Sequence, residues 1–181
     1  MLIKAISLLR CNSKYLVIIL ILLAGCSADR QTKRWAASSL KGNPPVTIIK
    51  GFLEFGFAEN RGMVFGLMND RDTSIFKTIL TLARVLILIG FSGFIFLKRM
   101  SPLPYLVPFV LIVAGAWGNV FDGLRHGYVI DFIHLRLGSL FDWPFLFNVA
   151  DVWLCIGMGI LILKEITIRW RIITPNQGAT P

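Results

Sequence analysis

Residues 145–163 read Phe-Leu-Phe-Asn-Val-Ala-Asp-Val-Trp-Leu-Cys-Ile-Gly-Met-Gly-Ile-Leu-Ile-Leu and carry one charge, Asp151. A membrane-spanning helix needs about 20 mostly apolar residues, and this stretch supplies nearly that. An acidic side chain inside such a span costs roughly 2.5–3.5 kcal/mol at mid-bilayer, so it is a functional candidate by default. With a helix start near Phe145, Asp151 falls about 9 Å inside that end. The competing reading is an aspartate that caps a first turn. Phe145-Leu146-Phe147 just before it are too apolar for a water-exposed cap.

Working outward, three more spans are expected, over about 11–28, 74–97 and 103–121. Lys77 and Arg84 interrupt the second, and Ser101-Pro102-Leu103-Pro104 favours a helix start for the third. Of the 181 residues, 55% are apolar and 16% charged, well under the charged share of soluble domains. The net charge of +9 would suggest nucleic acid in a soluble protein. Here much of the basic charge flanks apolar runs, where it anchors helix ends in head groups, and no nucleic-acid partner is expected. The expected class is a mainly α membrane fold, one domain over 1–173 with a disordered tail, 174–181.

Residues 29–73 and 123–144 read as loops on one side of the membrane. Within the first, 46–57 is rich in β-branched and aromatic residues, a strand signal. The termini and loop 98–101 share the other side with Lys4, Arg10, Lys14, Lys98, Arg99, Lys164, Arg169 and Arg171. The density of basic charge in these short segments places the termini in the cytoplasm. Leu23-Ala24-Gly25-Cys26 also fits a lipoprotein cleavage site, with Cys26 lipidated. On that reading the mature chain would be a lipoprotein or small transporter subunit, yet it would keep three spans.

Asp131 lies in Tyr128-Val129-Ile130-Asp131-Phe132-Ile133, apolar on both sides. An extended segment would point it opposite to Ile130 and Phe132. Its alternative is a loop carboxylate at head-group level. Two nearby carboxylates cannot both ionise cheaply, so one stays an acid while the other is a base. Such a pair can activate water and protonate a leaving amine. Other chemistries fit poorly. His126 and His134 lack Cys or HExxH partners, so no metal or other cofactor is expected. Both histidines read as interfacial, with His134 close enough in sequence to tune Asp131. No GxSxG is present, and Cys11, Cys26 and Cys155 form no disulfide framework.

Five blocks then occur in order: Asp29 with Thr32-Lys33; Asn60-Arg61-Gly62-Met63-Val64-Phe65-Gly66; 115–122, Gly-Ala-Trp-Gly-Asn-Val-Phe-Asp; 127–133 around Asp131; and Phe147-Asn148-Val149-Ala150-Asp151. Together they resemble the lipoprotein signal peptidase (signal peptidase II) family of aspartic membrane peptidases. The resemblance implies four transmembrane helices with a small extracytoplasmic β-cradle, in the bacterial inner membrane. It implies removal of signal peptides from prolipoproteins just before a diacylglyceryl-cysteine, by a monomer in contact with membrane lipids. Carried over by position, Asp131 and Asp151 are the catalytic pair. Asn60, Asn119 and Asn148 would bind substrate backbone or hold the aspartates, and Asp29 would be accessory. Gly62, Asp122, Ala150 and Arg125 complete the supporting set.

One position departs from the pattern. The family usually has Arg after the aspartate of its Asn-x-x-Asp block, where this chain has Gly123, and Arg125 is the nearest stand-in. Met63 and Val64 are bulkier than the residues usual there. The departure leaves open a divergent paralogue, including a non-catalytic or weakly active relative that binds lipoproteins or a peptide antibiotic.

Overall fold

The computed structural model describes residues 2–61, 74–97, 103–137, 141–142 and 145–173. The order of elements is α1 (Leu2–Ser39), β1 (Val46–Ile49), β2 (Leu53–Asn60), α2 (Ser74–Leu97), α3 (Leu103–His126), β3 (Val129–Leu137), β4 (Phe141–Asp142) and α4 (Val149–Ile173). Gly62 and Met63–Phe65 lie outside the described residues, as does the tail expected after 173.

A helix covers 74–97 as the sequence suggests, and another begins at Leu103. The other two helices differ. α1 does not stop near residue 28 but runs on to Ser39, so the expected long loop is shorter by a three-turn helix. The reason is a stripe of buried residues at helical spacing, Asp29, Lys33 and Ala36, with Leu40 just past the end. Half of that stripe is charged, which hides it from a hydropathy reading. α4 begins at Val149 rather than Phe145 and runs to Ile173.

Among the described residues two helical stretches, Tyr15–Ser39 and Leu103–His126, rather than the four expected, are long and apolar enough to cross a membrane, and Thr81–Ile95 of α2 is a shorter apolar stretch. α4 carries Asp151 near one end and Lys164, Glu165, Arg169 and Arg171 near the other.

α3 is the hub. It packs on α1, α2 and α4. Ile18, Leu88, Ile95, Leu106, Val110 and Val113 form the core where α1, α2 and α3 meet. Pro108 sits inside α3. Having no N–H, it frees the carbonyl of Pro104 one turn earlier, and Lys164 of α4 donates to that oxygen. Gly127, at φ +74°, ends α3 and donates to the Gly123 carbonyl at 3.0 Å.

α3 and α4 touch through small residues. A Cβ at Gly115 would strike the Ala150 carbonyl oxygen and stand 3.0 Å from Leu154 Cγ. Gly115→Ala is therefore expected to destabilise the fold by about 1–3 kcal/mol, read as a lowered melting temperature in detergent. Gly123→Ala is the control. Among the described residues no other group lies within 4 Å of a Cβ added there, and helix propensity favours Ala by about 1 kcal/mol. An unchanged or raised melting temperature is the expected result there.

The segments read as two separate loops build one antiparallel sheet, in the order β1-β2-β3-β4. Ala58 pairs with Asp131 and Asn60 with Val129. Ala36, Leu40, Ile130 and Phe132 bury the sheet against the C-terminal end of α1. Trp35, Phe55 and Phe132 pack edge to face there, with centroids 5.6–6.1 Å apart.

Candidate active site

β3 alternates, so Ile130 and Phe132 enter the core while Asp131 faces the other way. In the β2–β3 register Asn60 opposes Val129, which puts Asn60 and Asp131 on one face as diagonal neighbours. The Asn60 amide donates to Asp131 Oδ2 at 3.0 Å.

The chain entering α4 is pinned to the same strand. Phe147 N–H donates to the Ile133 carbonyl at 2.9 Å, and the Phe147 carbonyl accepts from Ile133 N–H at 2.8 Å. Asn148 is thereby set opposite Asp131 and donates from Nδ2 to Asp131 Oδ1 at 2.6 Å.

Asn148 is also the N-cap of α4. Its Oδ1 accepts the Asp151 N–H at 3.1 Å, while Asp151 Oδ2 accepts the Asn148 N–H at 3.0 Å. This is a reciprocal capping box, closed by Asp in place of the usual Glu or Gln. Asp151 therefore closes a helix cap, and the same Asn148 that it caps also reaches Asp131. The cap is not exposed to water: Asn148 is fully buried, which removes the objection drawn from Phe145-Leu146-Phe147. One asparagine thus holds both carboxylates. Asn119 of α3 braces the pair, donating from Nδ2 to Asp151 Oδ1 at 2.8 Å and accepting on Oδ1 from Asn148 at 3.1 Å.

Behind this layer lies a buried cation that the sequence reading left out of the site. Lys33, its side chain 3% exposed, contacts Asp29 Oδ2 at 2.8 Å, Asp122 Oδ2 at 3.0 Å and Asn119 Oδ1 at 2.9 Å. A lysine can only donate. It therefore turns the Asn119 oxygen toward itself and the Asn119 nitrogen toward Asp151. Asp29 Oδ1 accepts the Ala150 N–H at 2.9 Å, satisfying a second orphan donor at the start of α4 from another helix. Asp122 accepts the Ile130 N–H at 3.4 Å. Two sequence signals pointed to Lys33: its i,i+4 spacing from Asp29 and its place on the stripe with Ala36.

Asp29, Asp122, Asp131 and Asp151 share this network with a single buried lysine, so full ionisation would leave three negative charges uncompensated. Burial away from water pushes the Asp131 carboxyl up to about 6. The amides of Asn60 and Asn148 pull it down, the Asp151 charge raises it, and Lys33 lowers it more weakly.

Residues 18–167 match the family described as Signal peptidase (SPase) II. The chain belongs to the signal peptidase II family. It is 32% identical over 145 residues to the lipoprotein signal peptidase of Clostridium tetani, covering 80% of this chain and 89% of that protein. The lipoprotein signal peptidase of Clostridium novyi is 33% identical over 150 residues, 81% of this chain and 97% of that one. That of Chlorobium phaeobacteroides is 35% identical over 147 residues, with coverages of 77% and 84%. Two bacterial membrane enzymes solved by the in meso method share the fold. One, at 2.3 Å resolution, has a TM-score of 0.70 and 26% identity over 91% of this chain and 94% of that chain. The other, at 1.9 Å, has 0.67 and 30% over 82% and 92%.

Within this signal peptidase II, Asn60, Asn119, Asn148, Ala150, Asp29 and Asp122 converge with the two aspartates. Arg125 does not. It is exposed in the last turn of α3, and Gly123 borders open space. His134 does not tune Asp131 either. An odd offset along β3 puts it on the opposite face, where it pairs in register with Glu54, Nδ1 3.8 Å from Oε2. His126 is exposed and stacks on Tyr128 at 5.6 Å. Cys26 sits mid-helix in α1, its Sγ 3.6 Å from the Ala114 carbonyl oxygen of α3.

Proposed function

We propose that this signal peptidase II is an active aspartic endopeptidase whose paired carboxylates, Asp131 and Asp151, cleave prolipoproteins before the diacylglyceryl-cysteine. The observation that carries the proposal is Asn148, which donates to Asp131 from its side chain and to Asp151 from its backbone. Asp131, buried and raised, holds the shared proton. Asp151, which accepts from the Asn148 backbone N–H and from the Asn119 amide, is the partner left to act as base. Asp151 takes a proton from water as the oxygen attacks the scissile carbonyl, and Asp131 protonates the carbonyl oxygen. The tetrahedral diol then collapses. The C–N bond breaks, Asp151 passes its proton to the leaving amine, and Asp131 recovers one from the diol.

All four helices cross the membrane in this reading, as one domain over residues 1–173. Both termini are cytoplasmic and the sheet covers the site at the outer face. The substrate class follows from the lipoprotein signal peptidases that the chain is similar to. The test is cleavage of a diacylated prolipoprotein peptide by the purified chain, with products identified by mass. A new N-terminal lipid-modified cysteine is expected. Binding without cleavage, together with failure to rescue a strain depleted of this peptidase, supports the non-catalytic alternative instead.

Acidity gives a further prediction. A dyad that needs Asp131 protonated loses kcat/KM as pH rises through about 6. Asn60 donates to the charged form and so lowers that value. Asn60→Ala is expected to move the alkaline limb to higher pH, while loss of rate with an unmoved limb contradicts the assignment.

A further inference from the structure

At the end of the bundle away from the aspartates, α4 and the start of α3 enclose a groove of about 340 Å³ lined by Tyr105, Ile160, Leu163, Lys164, Thr167, Ile168 and Arg171. Ile160, Leu163 and Ile168 make its floor apolar. Lys164 and Arg171 are two helical turns apart, so they fall on one face of α4, about 10 Å apart along its axis. Lys164 does not simply reach for water. It lies over the Tyr105 ring at 4.4 Å and donates one of its three N–H groups to the Pro104 carbonyl that Pro108 leaves free.

The charges here are unbalanced in one direction. Arg169 is held by Glu165 at 2.8 Å, and neither residue lines the groove. No acidic residue is among the described residues that line it, where Lys164 and Arg171 supply the charge. Asp151 to Arg171 is twenty residues of continuous helix, about 30 Å, which is the thickness of a bilayer's hydrocarbon core. The aspartates and the groove therefore lie at opposite faces of the membrane.

We infer that this groove is a binding site for an anionic phospholipid of the leaflet opposite the active site. Its phosphate sits between Lys164 and Arg171, and its acyl chain runs along Ile160 and Leu163. The inference rests on the reading that α3 and α4 cross the bilayer. Charge complementarity selects an anionic head group, and the apolar floor selects a lipid over a free anion.

The test is native mass spectrometry of the full chain in neutral detergent, with phosphatidylglycerol, phosphatidylcholine or inorganic phosphate added. A retained phosphatidylglycerol adduct is expected, with phosphatidylcholine weaker by roughly twenty-five-fold, at about fivefold for each of two cations. Arg171→Gln should lose about fivefold and Arg169→Gln nothing. Lys164→Gln also removes a tie between α3 and α4, so Arg171→Gln is the deciding variant. Equal retention of both lipids, an unchanged adduct in Arg171→Gln, or displacement by millimolar phosphate overturns the inference. Peptide cleavage by Arg171→Gln in detergent is expected to be normal. Failure of cleavage in the unaltered chain counts against the peptidase reading and leaves this one standing.

Discussion

Asp131→Asn and Asp151→Asn are each expected to lower kcat/KM for a diacylated prolipoprotein peptide by roughly a thousandfold or more, since general acid–base groups contribute about 10²–10⁴ each. The substitutions keep shape and remove only the titrating group. Every oxygen of the pair accepts a hydrogen bond: Asp131 from Asn60 and Asn148, Asp151 from Asn119 and the Asn148 backbone. An amide can replace one acceptor of each pair and sets a second donor against the other. Some stability is therefore lost, on the order of 1–3 kcal/mol for each mismatched buried partner. Activity must accordingly be read on protein shown to be folded by its melting curve. Cleavage near the normal rate by either folded variant removes that carboxylate from the chemistry.

Lys33→Met should have the largest effect on stability, roughly 3–5 kcal/mol, because it leaves buried carboxylates without their cation. Lys33 is a contact that Asp29, Asp122 and Asn119 share. Losing it also frees the Asn119 amide to turn, which withdraws the donor from Asp151. Thermal melts in detergent give the stability. Adding Asp29→Asn to Lys33→Met should cost less than the sum of the two, since the second change removes one of the charges the first stranded. Simple additivity, or a loss under 1 kcal/mol in Lys33→Met, would show that the cluster is not the electrostatic unit drawn here.

Much of the architecture was legible because apolar length is a local property. Ser74 and Leu103 start helices where the sequence places them, and Asp131 alternates against Ile130 and Phe132 as an extended segment requires. Charge defeated the reading in two places. Asp29 and Lys33 made the last turns of α1 look like loop, although with Ala36 they repeat at helical spacing. At α4, Asn148 and Asp151 three residues apart spell an N-cap signal, which places the helix start at Val149 rather than at Phe145. The union of two distant loops in one sheet could not be read locally, since Asn60 meets Asp131 across 71 residues of chain. Arg125 stands apart from the aspartates because two residues along a helix turn a side chain to another face.

An infrared titration of the carboxyl groups tests most directly whether Asp131 and Asp151 act as one proton-sharing unit. A protonated carboxyl band that titrates near pH 6 is expected in the unaltered protein and should vanish in Asp131→Asn. In Asp151→Asn the band should titrate at lower pH, because burial still holds the proton on Asp131 but the neighbouring negative charge that adds to it is gone. A band that titrates identically with and without Asp151 would mean that the two groups ionise independently, and the pairing would have to be abandoned.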